Sequence, residues 1–229
     1  MLHSLLSELP RFFGPYNLLF LAQAIGVTIA LTIVGCGIGY NFGFALALLR
    51  VQRIIDIPPL RWSAIGFVEL VRRLPFLVLL FLVMFGFQAG GYTLTGMAVA
   101  CITIILRAAA IASETVRAGL ESVHPNQWDA AATMNLSRLD QLRHVVLPQA
   151  WRVILPPAMI QFIQLLKATS IASQISVIEL TYAGKIMNQK GFSATLSYGT
   201  VLILYYVLCL AVERVVRRME KRLVLPQHH

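Results

Sequence analysis

The sequence predicts an all-α membrane protein with five transmembrane helices. A cytosolic loop of two short helices separates the third and fourth spans; the N-terminus lies outside and the C-terminus in the cytosol. Three observations lead there. Of 229 residues, 58% are apolar and 13% charged, where a soluble domain carries about 25% charged residues. The apolar residues gather into runs long enough to cross a bilayer. Lys and Arg are one-sided: fourteen lie in segments 49–73, 117–152 and 213–222, against Arg11, Lys185 and Lys190 in the other connections. The positive side is the cytosolic side, so the net charge of +9 reports orientation rather than nucleic-acid binding.

Taken in order, residues 1–16 form a short outer segment and residues 17–222 one membrane domain. The spans are expected at about 18–49, 67–88, 96–118, 149–173 and 194–216. The first is longer than the hydrocarbon core and must tilt or project. Gly35, Gly39 and Gly43 recur every four residues in it, a smooth stripe for close helix contact. Arg50 to Arg61 is a basic connection containing Pro58 and Pro59. The second span begins near Phe67, because the apolar part after Pro75 is too short to cross alone. Arg72 and Arg73 then snorkel to the interface. The third span carries Arg107 and Glu114. The fourth contains Pro156 and Pro157, which should kink or interrupt it, and Lys167. Gln174 to Phe192 is half-apolar and is expected at the outer surface. Residues 223–229 are a tail, and His228-His229 resembles a tag remnant. No cleavable signal peptide is evident. Cys36, Cys101 and Cys209 lie in apolar runs without metal-ligand spacing and read as packing residues.

The loop at 119–148 has a structure of its own. His124-Pro125-Asn126 opens a helix, with Asn126 as the expected cap. Gln127 to Met134 is Ala-rich and helix-favouring. Asn135 stops it by accepting a left-handed C′ position. Ser137 to Asp140 has capping-box spacing and opens a second helix, which Pro148 is expected to end. No Gly-rich Lys-Ser/Thr phosphate loop is present, so ATP hydrolysis is not expected of this chain. No Ser/His/Asp set or His-Glu-x-x-His supports a hydrolase.

This loop resembles the EAA loop of ABC importer permeases: acidic-Ala-Ala, three residues, Gly, nine residues, Ile, one residue, Leu-Pro. Here Asp129-Ala130-Ala131, Asn135, Val145 and Leu147-Pro148 keep that spacing, with Asp for Glu, Asn for Gly and Val for Ile. Glu69-x-x-Arg72-x-x-Pro75 is similar to the start of the second span in amino-acid permeases, with Leu74 where the family usually has Thr. Glu114-x-x-Arg117-x-Gly119, Lys167-x-Thr169-Ser170 and Leu147-Pro148-Gln149-Ala150-x-Arg152 also match family patterns, and Ile111 stands where Tyr is frequent.

The resemblance is to permeases for polar amino acids and opines and covers about Ala22 to Arg218. It implies a bacterial inner-membrane location, two ATPase subunits, a second permease, identical or homologous, and an external binding protein delivering a small-molecule substrate. It also implies alternating access. ATP and Mg would be bound by the ATPase partners, with no cofactor in this chain. The loop would be the coupling helix, with Trp128, Asp129, Ala130, Ala131, Asn135, Leu147 and Pro148 meeting the ATPase. Trp128 and Ala131 in particular are expected at that interface. A structural role for Lys167 follows from the same resemblance.

Arg107 sits near mid-membrane, and Glu114, seven residues on, shares its helix face about 10 Å away. Ionisable residues inside a span are costly and tend to be functional. Three readings stand: contact with a zwitterionic substrate through a guanidinium–carboxylate fork, a water-bridged Arg107–Glu114 pair, or Arg107 at a subunit interface. A secondary transporter and a structural subunit of an enzyme complex are the rival functions. The first would call for more spans and internal repeats; the ordered loop argues against the second.

Overall fold

The computed structural model describes residues 8–223, which are helical with short connections and contain no strand. The tail beyond 223 lies outside the described residues, as do residues 1–7 of the outer segment. Residues 8–12 make a helical turn. α1 runs from Pro15 to Arg50, about 54 Å at ~1.5 Å per residue, and exceeds a ~30 Å hydrocarbon core.

α1 makes its largest contact with α4, Gly96–Glu121. The glycine stripe is the reason. A Cβ at Gly35 would collide with Ile104, at Gly39 with Ala108, and at Gly43 with the Ala109 carbonyl and Ala112. Opposite the stripe, α4 presents Ala108, Ala109 and Ala112, all buried. Small residues on both helices bring the backbones together.

The expected second span is not one helix. α2, Pro58–Arg73, and α3, Phe76–Ala89, meet at a 116° bend. Pro75 has no N–H to continue the ladder and drives Leu74 out of the helical region, to φ −77° and ψ 137°. Pro58 and Pro59 belong to the first turn of α2, not to a connection, where a missing N–H costs nothing. α3 has 14 residues, about 21 Å, and does not cross a bilayer alone. Among the described residues, four helices are long and apolar enough to span, or five if the bent pair counts as one.

α5, Pro125–Thr133, follows α4 after a short turn. Arg138–Asp140 then passes through a π-helical stretch, Gln141–Val146, directly into α6, Leu147–Ala168. Pro148 therefore does not end a helix. The Leu147 amide donates to the Leu142 carbonyl, five residues back. This wider turn takes up the proline that would otherwise break the i→i−4 ladder. Pro156 and Pro157 do not interrupt α6 either. It continues as a 3₁₀ segment, Thr169–Ile175.

α7, Leu180–Gln189, turns Leu180, Ala183 and Met187 fully inward. They pack toward α1 and α8, Ala194–Leu223. The half-apolar pattern of 174–192 is thus a packed face. α6 reaches α4 closely at Gly119, where a Cβ would strike Ile154.

Candidate functional site

The loop between α4 and α6 is held at both ends of α5. His124, not Asn126, is the N-cap: its Nδ1 accepts from the Asn126 amide at 3.2 Å, so Asn126 lies inside the first turn. At the far end Asn135 has φ 57°. Its amide donates to the Ala132 carbonyl at 3.0 Å, and the Leu136 amide donates to Ala131 at 3.4 Å. This pair of bonds is a Schellman closure around a left-handed C′ residue. Two residues on, Ser137 Oγ accepts from the Asp140 amide at 3.2 Å and donates to Asp140 Oδ2 at 2.5 Å.

The expectation that Trp128 and Ala131 form an outward interface is corrected. Both are buried, in the same chain. Trp128 packs with Ala47, Val51, Leu120, Val123, Leu142 and Val146. A helix of nine residues has one face to spend on its own domain, and the indole is by far its largest apolar group. Beyond the first turn, where Pro125, Asn126 and Gln127 are exposed, the outward residues are Asp129, Ala130, Ala132, Thr133, Met134 and Asn135. Pro148 is exposed and Leu147 half-buried against the same cluster.

Behind α5 lies a cavity of about 560 Å³ lined by Arg50, Arg53, Arg61, Trp62, Glu121 and Trp128, among others. Arg53 Nη1 lies 3.3 Å from Asp129 Oδ1 and ties the end of α1 to α5. Arg50 is 6% exposed and donates to Glu114 Oε2 at 2.9 Å and Ser113 Oγ at 3.1 Å.

Arg107 and Glu114 are not direct partners of each other. Arg107 Nη1 donates to the carbonyls of Val71 at 2.8 Å, Arg72 at 3.1 Å and Leu74 at 3.4 Å. Glu114 is surrounded by Arg50, Arg72 at 3.3 Å and Arg117 at 2.5 Å. Both charges that were expected to meet substrate are engaged within the chain. Sequence reasoning counted Arg50 and Arg53 only as orientation charges and placed Arg72 at the interface, and missed the partners these residues have on other helices.

It also missed Glu179. This carboxylate is fully buried and caps α7, accepting from the Thr181 and Tyr182 amides at 2.9 and 2.8 Å and from the Tyr205 hydroxyl at 2.7 Å. Its signal was there: it is the lone acidic residue between Asp140 and Glu213. Thr28 Oγ1 accepts the neighbouring Leu180 amide at 3.2 Å.

Residues 57–225 match the family model described as the binding-protein-dependent transport system inner membrane component. The L-cystine transport system permease protein TcyB of Bacillus subtilis (strain 168) is 36% identical over 205 residues, 89% of this chain and 86% of that protein. The probable amino-acid ABC transporter permease protein YckA of the same organism is 32% identical over 190 residues, 83% of each chain. A crystal structure of an amino acid ABC transporter with histidines superposes with a TM-score of 0.84 at 26% identity, covering 95% of this chain and 98% of that one. The inward-facing MetNI methionine ABC transporter shares the fold, with a TM-score of 0.80 at 23% identity. The chain belongs to the family of membrane-spanning permease components of binding-protein-dependent ABC transport systems.

Proposed function

We propose that this chain is the permease subunit of an ATP-driven importer for amino acids or related compounds such as opines, in a bacterial inner membrane. It works with two ATPase subunits, a second permease copy and an external binding protein. The described residues offer at most five spans, too few to enclose a pathway readily, which favours a pair of permeases. The basic bias of the connections puts α5 and the C-terminus in the cytosol and the N-terminus outside.

The observation that carries this reading is α5 itself. A nine-residue helix is capped at both ends and anchored by Trp128, while Asp129, Ala130 and Ala132 face outward. Small outward residues let another protein's surface come close. The outward face of α5, with Asn135 setting its exit, is the docking element for the ATPase. The amino-acid substrate class rests on the printed names of the relatives.

Co-expression with a cognate ATPase subunit tests it. The two should co-purify, and proteoliposomes containing the complex and its binding protein should take up a labelled amino acid only with ATP. Uptake driven by an ion gradient without ATP would overturn the reading.

A further inference from the structure

We propose that Arg107 and Glu114 are positioning residues that grip the elbow between α2 and α3, and that Glu114 joins this elbow to the coupling helix α5. The last link, drive by an ATPase, rests on the importer reading.

α2 ends at Arg73 with no left-handed residue to close it. Leu74 is extended and Pro75 brings no N–H. The final carbonyls of a helix need donors, and in apolar surroundings leaving them bare is costly. Arg107, from α4, supplies them: a single Nη1 meets Val71, Arg72 and Leu74. A guanidinium at this end also opposes the negative pole of α2.

Two turns further along the same face of α4, Glu114 takes the side chain of Arg72 at 3.3 Å. α4 therefore holds the elbow twice, by a cation on its backbone and by an anion on its side chain. The shared face of Arg107 and Glu114 serves the elbow.

Glu114 holds Arg50 at the end of α1 with the same Oε2 that meets Arg72. Three residues after Arg50, Arg53 reaches Asp129 on α5. The order Asp129–Arg53, Arg50–Glu114, Glu114–Arg72 connects the coupling helix to the elbow through side chains and the short turn that follows α1. A displacement of α5 draws on Arg53 and Arg50 and changes how Glu114 is shared with Arg72.

The test compares wild-type complex, Arg107→Ala, Arg107→Lys and Glu114→Gln in proteoliposomes, with hydrogen exchange followed by mass spectrometry. Arg107→Ala should speed exchange in residues 70–79 at least tenfold, leaving α6 and α8 unchanged. Uptake kcat should fall tenfold or more with KM within twofold, and Arg107→Lys should recover part of both. Glu114→Gln, which weakens the second hold, should speed exchange at 70–79 less than Arg107→Ala does and raise ATP consumed per substrate severalfold. Unchanged exchange at 70–79 in Arg107→Ala overturns the proposal. So does a changed KM or substrate selectivity with kcat retained, the mark of a substrate ligand. If Arg107→Ala fails to assemble, Arg107→Lys and Glu114→Gln decide by the same comparisons. If the wild-type complex shows no ATP-dependent uptake, the importer reading fails, while exchange at the elbow still decides the positioning role.

Discussion

The amide of Leu136 reaches back to the carbonyl of Ala131 at 3.4 Å, because Asn135 between them is left-handed, with φ 57°. The angle between α5 and the helix that follows depends on this turn. Asn135→Gly should be neutral or slightly stabilising, since glycine is unstrained there. Asn135→Val should cost about 1–2 kcal/mol locally and re-aim α5. Uptake assays beside expression levels check this: transport should fall more in the Val variant than the amount of folded protein does. A Val variant that transports normally would refute it.

Trp128 and Ala130 separate folding from docking. Trp128 is buried in its own domain, so Trp128→Ala should lower stability by roughly 3–5 kcal/mol. It should be read first as loss of folded protein. Ala130 is exposed. Ala130→Arg should change stability by no more than about 0.5 kcal/mol yet remove the ATPase subunit in a co-purification. Ala131→Arg, which buries the new charge, should behave like Trp128→Ala. Equal ATPase recovery from Ala130→Arg and wild type would show that this face does not dock.

The difference between these residues shows what the sequence could carry. The left-handed turn at Asn135 was legible because it follows from local spacing: a helix-favouring run, a turn-tolerant residue, a new cap two positions on. The glycine stripe of α1 was legible for the same reason, a four-residue period on one helix. The direction of Trp128 was not, because an Ala-rich helix shows no polar contrast between its faces. The elbow at Pro75 was hidden by the strong hydropathy of the residues after it, which favoured one continuous span. Arg107 was singled out correctly as an unusual charge. Its partners are backbone carbonyls 33 to 36 residues away, and no spacing rule reports those.

The α1–α4 contact predicts a sharp difference between two neighbouring glycines. A Cβ at Gly39 would meet Ile105 O at 2.8 Å as well as Ala108, whereas at Gly37 it meets nothing within 4 Å. Gly39→Leu should cost about 1–3 kcal/mol by overpacking and push the helices apart. Gly37→Ala should be neutral or stabilising by up to ~1 kcal/mol, as expected for replacing glycine in a helix. Denaturation midpoints in detergent measure both. Comparable losses at the two positions would argue against a one-sided stripe.

Glu179 predicts a pH dependence with a definite sign. Burial pushes its carboxyl above the ordinary 4.5, outweighing the Thr181, Tyr182 and Tyr205 donors that pull it down. The folded protein therefore keeps this proton to higher pH than the unfolded chain does. The linked stabilisation is complete below about 4.5 and is lost as pH rises through the raised folded value. Glutamine at this position does not titrate. Its amide faces one of the three donors, a fixed cost of about 1–3 kcal/mol. Glu179→Gln should thus be less stable than wild type near pH 4.5, with the gap closing as pH rises, because only wild type loses ground. Subtracting the two melting profiles cancels every other titrating group they share. Tyr205→Phe removes one donor to the carboxylate, so the loss in that variant should extend to higher pH and be larger than in wild type. Parallel profiles for wild type and Glu179→Gln between pH 4 and 8 would mean that this buried carboxyl carries no proton linkage to folding.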